Sequence, residues 1–443
     1  MQDNPNTFQE TIPSPVWLDY KGRINETTFA SVFLKTHPMK CIQGRLFTVD
    51  GLVEDETALR SEIFEMISGH VTTHLAKKTN QLLEAVKLLC HSPQLPVDTD
   101  RIHMANGTYY LDGHFESAKD FCLNRLPVAY HPDAAKPVRW LSFLDQLLMP
   151  EDIPALQEYF GYALLPVTKA QKMLLLVGKG GEGKSRIGLV FRSLLGQNMN
   201  TGSLQKVETD RFARADLEYK LLMVDDDMKM EALTQIHHLK TMVTLEDRID
   251  IERKGIQSTQ GVLYVRFAAF GNGGLHALYD RSNGFYRRQL LITTREPDPG
   301  RVDDPYLIEK QRNEKEGIIL WALEGLHRLI DHQYRFTISA RMEQNLLDAV
   351  EESNNLVQFM ESSGYIKLEK GTCAKSIQLY KVYARWCYDN LEKPLSQKTF
   401  IQFLRQNEGV YGIIYSKHVL GDQRGFHGIF VQVDPEKETQ LHF

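Results

Sequence analysis

Long apolar runs are absent from this 443-residue sequence, and none approaches the roughly 20 residues that a membrane-spanning helix requires. Cysteine is scarce: the five cysteines form no Cys-x-x-Cys pair, which argues against a zinc site and a disulfide framework. A basic excess is also lacking, since the net charge is −5, so any contact with nucleic acid must be local. The first residues show no signal-peptide pattern, and we expect a cytoplasmic protein without membrane contact.

Length alone predicts about three domains, each large enough for its own hydrophobic core. Residues 1–100 are expected to form a mostly helical domain, because many of their apolar residues recur at steps of three and four. Residues 101–170 contain an Asn106-Gly107 turn between two short strands, followed by a helical pattern that begins at Trp140.

The remaining chain divides into two further predicted domains. Residues 171–335 alternate short apolar strands with helices, which predicts an α/β core with a parallel sheet. Residues 340–443 have the order helix, helix and β-hairpin, which is typical of a winged-helix domain. We therefore expect an α/β protein whose core is flanked by a helical domain and a winged-helix domain.

The sequence GKGGEGKS, from Gly178 to Ser185, fits the pattern GxxxxGK[ST] and stands between an apolar strand and an amphipathic helix. In such a P-loop the backbone N–H groups point at phosphate oxygens, Lys184 neutralises the β- and γ-phosphates, and the Ser185 hydroxyl holds Mg²⁺. The motif predicts ATP and Mg²⁺ as cofactors; a glycine-rich structural turn is the alternative. The predicted nucleotide-binding residues are Gly178, Gly180, Gly181, Glu182, Gly183, Lys184, Ser185 and Arg186.

Three consecutive carboxylates end the next apolar strand and resemble a Walker B motif. They would lie at the carboxyl edge of the sheet, where ligands bind. We expect Ser185 to hold Mg²⁺, Asp225 to lie behind the direct ligands of that ion, and Asp226 to orient or deprotonate the attacking water. Asp227 could exchange roles with Asp226, and a solvated acidic turn is the alternative.

Two further segments carry polar groups beside predicted strands. Asn272 follows the third strand and could bind the γ-phosphate or the water, although Asn-Gly is more often a turn. Arg287 and Arg288 precede the fourth strand, and one of them could reach a neighbouring subunit's γ-phosphate as an arginine finger. The alternative is an arginine pair that solvates the start of a strand.

A β-hairpin is predicted between the Walker B strand and the third strand. Polar and apolar residues alternate around Ile249, and a basic turn follows at Arg253 and Lys254. A ring of such tips could follow DNA phosphates without reading bases. A solvated hairpin without a partner is the alternative.

Taken together, GKGGEGKS, LLMVDDD, LEDRIDIERKG, FGNGG and GFYRRQLLI resemble the motifs of superfamily 3 helicases, in particular the phage, plasmid and poxvirus primase-helicase group. The flanking segments are similar as well, so the resemblance covers roughly residues 100–443. It implies an AAA+ type ring ATPase, a hexamer that moves 3′ to 5′ on single-stranded DNA and opens forked DNA for a mobile element. By this resemblance Lys184, Ser185, Asp225, Asp226 and Asn272 form the site in one subunit. Arg287 or Arg288 acts from the next subunit, and Lys254 with Arg253 contacts DNA.

Two features depart from that family's pattern. Gly273 and Gly274 follow Asn272, where family members often have a proline. Residues 1–100 show neither a zinc motif nor the paired carboxylates of a nucleotidyl transferase, so any primase, or a replication initiator, would be a separate partner. Two other functions stay open: an origin-binding initiator in which ATP only controls assembly, and a small-molecule kinase.

Overall fold

The computed structural model describes residues 15–228, 236–245, 248–272, 283–302, 304–392 and 394–433. The chain forms two compact units, Met1–Arg125 and Leu126–Phe443. The predicted 101–170 segment is therefore divided, with its strands in the first unit and its helices in the second. Among the described residues, no helix has both the length and the apolar character needed to cross a membrane.

The first unit combines helices with two small antiparallel sheets. A buried cluster that includes Phe29, Phe33, Ile63 and Val86 joins its helices. The sheets have the strand orders β1-β2-β3 and β4-β5-β6. The elements are α1 (Glu26–Thr36), β1 (Lys40–Ile42), β2 (Arg45–Thr48), β3 (Gly51–Leu52), α2 (Thr57–Ser68), α3 (Leu75–Leu89), β4 (Arg101–Met104), β5 (Gly107–Tyr110) and β6 (Phe115–Glu116).

The second unit contains a five-stranded parallel sheet in the order β13-β7-β12-β9-β8. Strand β7 is apolar throughout, because helices cover both faces of such a sheet, whereas β12 begins with Arg266 and β9 ends in three aspartates and a methionine. The strands are β7 (Met173–Val177), β8 (Met199–Thr201), β9 (Leu222–Met228), β12 (Arg266–Gly271) and β13 (Gln289–Thr293). This mixed architecture confirms the predicted α/β class, and β8 is an edge strand that we did not predict from the sequence.

Helices and a hairpin surround this sheet. Helix α5 packs against α12 on one side, and the hairpin β10–β11 turns at Lys254 and Gly255. The helices are α4 (Val138–Leu147), α5 (Ile153–Tyr162), α6 (Ser185–Leu195), α7 (Leu204–Thr209), α8 (Arg211–Ala215), α9 (His237–Val243), α10 (Asn283–Tyr286), α11 (Leu307–Arg312) and α12 (Lys315–Asp331). The hairpin strands are β10 (Ile249–Arg253) and β11 (Ile256–Gly261).

The long helix α13 (Ala340–Glu361) begins beside the end of β13. The side chains of Arg341 and Asn345 both donate hydrogen bonds to the Thr293 hydroxyl, at 2.7 and 3.2 Å. Beyond α13, a three-stranded antiparallel sheet in the order β14-β16-β15 packs with helices around a core that contains Tyr383 and Phe400. The elements are β14 (Ile366–Lys375), α14 (Ser376–Asp389), α15 (Gln397–Gln406), α16 (Glu408–Tyr411), β15 (Ile414–Ser416) and β16 (Gly425–Val431).

We predict that Gly161→Ala destabilises the second unit by about 1–3 kcal/mol, because overpacked cores cost energy of this order. A Cβ on Gly161 would lie 2.5 Å from the Ala322 carbonyl oxygen and 2.6 Å from the Leu326 nitrogen, so α5 and α12 would have to separate. Urea unfolding measures the change. Gly409→Ala is the control, since a Cβ there meets no atom within 4 Å. Equal stability of the two variants would contradict this account of the helix contact.

Candidate functional site

The glycine-rich loop connects the end of β7 to the start of α6 at the carboxyl edge of the sheet. Its conformation requires glycine, since Gly180, Gly181 and Gly183 have positive φ angles of 109°, 83° and 106°. The loop begins against β12, where the Gly178 N–H donates to the Gly271 carbonyl at 3.0 Å. The start of the loop is therefore held both by its covalent connection to β7 and by this hydrogen bond to β12.

Within the loop, Glu182 and Lys184 form a buried ion pair. The Lys184 Nζ lies 2.7 Å from Glu182 Oε2, and the Gly180 N–H donates to Glu182 Oε1 at 2.8 Å. Burial alone would raise the pKa of Glu182, but the hydrogen bonds from Lys184 and from backbone N–H groups outweigh it and hold that pKa below its ordinary value. Glu182 is therefore an anion inside the loop that we predicted from the sequence to bind phosphate.

Arg301 is a functional candidate that the sequence analysis missed. Its two terminal nitrogens donate to the carbonyls of Glu182 and Gly181, both at 2.8 Å. This fork fixes two peptide units of the loop. Arg301 lies in the segment that leaves the carboxyl end of β13, and because β13 pairs with β7, that segment reaches the loop. Its position after the fourth strand is the only sequence signal that points to it.

A β-bulge in β9 determines where the three carboxylates lie. In the pairing with β12, Ala269 faces Asp225 and Gly271 faces Met228, so β9 contains one extra residue. Asp226 and Asp227, the two residues between these pairs, are both exposed, which strict alternation along a strand would not allow. The bulge therefore presents two successive carboxylates at the same edge of the sheet.

Asp225 lies behind the two exposed carboxylates. It is buried, and its Oδ2 accepts a hydrogen bond from the Leu204 N–H at the start of α7, at 2.8 Å. Burial raises the pKa of this carboxyl. Asp225 is also not among the described residues that line the cavity beside the loop. Asp225 thus lies outside the cavity, behind Asp226 and Asp227, and its expected role near Mg²⁺ stays a prediction.

A cavity of about 1530 Å³ lies over the loop. Its walls bring together most of the residues that we predicted from the sequence. Helix α4 also contributes Phe143, and α15 contributes Gln402 and Gln406. The predicted site residues that line the cavity are Gly180, Gly181, Glu182, Gly183, Lys184, Ser185, Arg186, Asp226 and Asn272, together with Asp227.

Asn272 follows β12 directly and is exposed. Its Oδ1 lies 4.0 Å from the position that a Cβ on Gly180 would occupy, so the amide faces the loop. The polar residue after the third strand therefore lies beside the loop, as the sequence predicts. Gly273 and Gly274 lie outside the described residues.

Arg287 and Arg288 lie at the amino end of β13, the opposite edge of the sheet from the loop, and neither is among the described residues that line the cavity. Arg287 is exposed, and Lys172 donates to its carbonyl. Arg288 is half-buried and donates to the Gly284 carbonyl. These positions do not serve the cavity of the same chain.

Arg253 and Lys254 differ in their surroundings although they are adjacent in the hairpin. Arg253 forms an ion pair with Glu218, which is buried. Lys254 is exposed in the turn. Of these two basic residues, Lys254 is the one that the hairpin presents to solvent, while Arg253 is held against Glu218.

The donors around the cavity suit Mg²⁺ bound together with a nucleotide. Mg²⁺ prefers hard oxygen ligands and usually takes one or two carboxylates plus substrate phosphates. The Ser185 hydroxyl and the carboxylates of Asp226 and Asp227 supply such oxygens. Within the described ranges, no group of three or more His, Cys, Asp and Glu residues could hold a metal ion by itself.

Comparisons with known proteins give limited matches. A family model described as "Family of unknown function (DUF5906)" matches residues 176–288. The A form apo structure of the C-terminal region of NrS-1 is similar at 11% identity and a TM-score of 0.47, covering 91% of this chain and 99% of that chain. An apo structure of the same region has 10% identity, a TM-score of 0.48 and the same coverage. No curated protein matches the chain.

We predict that Asp225→Asn changes how stability depends on pH. Because the pKa of Asp225 in the folded chain lies above its ordinary 3.8, its contribution to the free energy of unfolding is complete below 3.8 and is lost as pH rises through the folded pKa. Asparagine does not titrate and still accepts from the Leu204 N–H. As pH rises, the natural protein loses this contribution and the variant does not. The free energy of unfolding of the variant should therefore rise relative to that of the natural protein, by about 1.4 kcal/mol for each unit by which folding raises the pKa of Asp225. Urea unfolding between pH 3.5 and 7 tests this, and a pH-independent difference would contradict it.

Proposed function

We propose that this chain is an ATP hydrolase that binds Mg²⁺ and ATP in the cavity above the glycine-rich loop. One observation carries the proposal: the loop with Lys184 and the two bulged carboxylates, Asp226 and Asp227, line the same cavity. A glycine-rich loop that served only as a structural turn would not need two exposed carboxylates and an amide beside it. The cavity is also large enough for a nucleotide, since ligand pockets span about 300–1,000 Å³.

Each residue then has a defined task. The loop N–H groups and Lys184 bind the β- and γ-phosphates, because phosphoryl transfer depends mainly on positioning and charge stabilisation. When bound, Mg²⁺ neutralises charge that develops on the phosphates, and Ser185 with Asp226 would hold it. Asp227 and Asn272 orient the attacking water. Asp225 supports the strand from behind through its bond to the start of α7.

We further propose that each site is completed by a second copy of the chain. Arg287 is exposed at the edge of the sheet opposite the loop, where it can reach the cavity of an adjacent subunit but not its own. An arginine that stabilises the transition state from a neighbouring subunit contributes large rate factors. Head-to-tail contacts of this kind close into a ring or extend as a filament, and the resemblance to superfamily 3 helicases suggests a hexameric ring.

The proposed work of this ring is helicase activity on single-stranded and forked DNA, with 3′ to 5′ movement taken from the family resemblance. The exposed Lys254 at the hairpin tip supplies a phosphate contact, and Arg253 keeps the tip in place through Glu218. Residues 340–443 would form the winged-helix domain, and the proposed partners include a primase or replication initiator on another chain. The contact between Lys254 and a DNA phosphate should weaken steeply as the salt concentration rises.

The proposal predicts ATP hydrolysis that single-stranded DNA stimulates. Lys184→Ala and Asp226→Asn should each lower kcat by about 100-fold or more, the usual loss when one charge-stabilising group is removed. Asp225→Asn is the matched control, since the same change one residue earlier should leave most of the activity. Phosphate release measures all variants. A natural protein without ATPase activity would overturn the proposal, and activity lost in Asp225→Asn but kept in Asp226→Asn would return the metal role to Asp225.

The shared site predicts complementation between two inactive variants. Lys184→Ala lacks its own phosphate contact but supplies Arg287, while Arg287→Ala has the reverse defect. Mixed rings contain boundaries with both groups intact, so mixing the proteins should restore ATPase activity that neither has alone. Arg288→Ala is the comparison that identifies the acting arginine. Full activity in both Arg287→Ala and Arg288→Ala, or no recovery when the inactive arginine variant is mixed with Lys184→Ala, would contradict action between subunits.

A further inference from the structure

Glu182 places a negative charge inside a loop whose backbone and lysine are suited to bind anions. The side chain is only 4% exposed, and its two oxygens accept from the Gly180 N–H and from Lys184. A backbone N–H of the loop and the lysine ammonium are the kinds of donor that a phosphate group uses in this type of loop. The carboxylate therefore makes the contacts of a phosphate.

The charges of the pair cancel within the loop. Hydrogen bonds hold the pKa of Glu182 below its ordinary value, so the carboxylate is ionised at neutral pH. Lys184 is also buried, with 8% exposure. Its ammonium is thus directed at Glu182, and an incoming phosphate has to compete with a carboxylate 2.7 Å away for the same charge.

The backbone of the loop does not have to move for this exchange. Arg301 holds the carbonyls of Gly181 and Glu182, which fixes the two peptide units on either side of the Glu182 Cα. Only the Glu182 side chain has to leave Lys184. Replacing the Glu182 carboxylate by a phosphate group at Lys184 therefore requires only a rotation of the Glu182 side chain, while the loop backbone stays in place.

We propose that Glu182 is an internal competitor for the phosphate groups of the nucleotide and thereby sets the affinity of the site, an inference that rests on the proposed ATP-binding function. The competition weakens nucleotide binding, because displacing the carboxylate costs part of the interaction that Lys184 offers. The same pair stabilises the nucleotide-free protein, since a buried charge without its partner is strongly destabilising. Removing the carboxylate charge should therefore change binding and stability in opposite directions.

Glu182→Gln tests this, because glutamine keeps the size and an acceptor for the Gly180 N–H but loses the charge. The variant should bind a fluorescent ATP analogue and inorganic triphosphate about tenfold more tightly than the natural protein, both measured without Mg²⁺. In nucleotide-free buffer its Tm should be lower, and added triphosphate should restore it. Glu296→Gln is the matched control: Glu296 pairs with Lys179 of the same loop, but both side chains are exposed, so less than a twofold change is expected.

The outcomes separate this inference from the proposed function. If both proteins bind ATP and Glu182→Gln binds it equally or more weakly, the inference is wrong while the proposed function stands. If neither protein binds ATP but Glu182→Gln binds triphosphate more tightly, the proposed function is wrong while the competition is supported. If Glu296→Gln gains as much affinity as Glu182→Gln, the effect is one of net charge and the inference is wrong.

Discussion

Parallel pairing of β7 with its two neighbours, β12 and β13, is the constraint on which the site depends. Because the three strands run in the same direction and in register, their carboxyl ends meet at one edge. The glycine-rich loop, Asn272 and the segment that contains Arg301 each leave from one of these ends. The pairing of the strands, rather than hydrogen bonds between the site residues themselves, thereby brings residues that are far apart in the sequence to one cavity.

Strand β9 adds the acidic side of the cavity through an irregularity in its pairing with β12. A straight β9 would alternate its carboxylates between the two faces of the sheet. The extra residue opposite β12 instead exposes Asp226 and Asp227 together, while Asp225 stays buried against α7. A local defect in pairing thus divides three identical side chains between a structural role and the cavity.

The sequence predicted the features that depend on local pattern. Buried parallel strands are continuous apolar runs, and the loop must contain glycine where φ is positive, so the central strands and residues 178–185 could be read directly. The bulge could not be predicted, because it depends on how β9 pairs with a strand about forty residues later in the chain. Arg301 and the Glu182–Lys184 pair were missed for a related reason: these contacts exist only once the loop has folded against the end of β13. The short strand β8 lacks a strong apolar run and is defined by its neighbour β9.

The Thr293 hydroxyl connects the end of β13 to the base of α13 through Arg341 and Asn345. With 22 residues, this helix is about 33 Å long at 1.5 Å per residue. A tilt of about 5° at its base would therefore move its far end by about 3 Å, which is the length of a hydrogen bond. Any movement of β13 that tilted α13 would therefore displace the far end of the helix, beside the C-terminal sheet, more than its base.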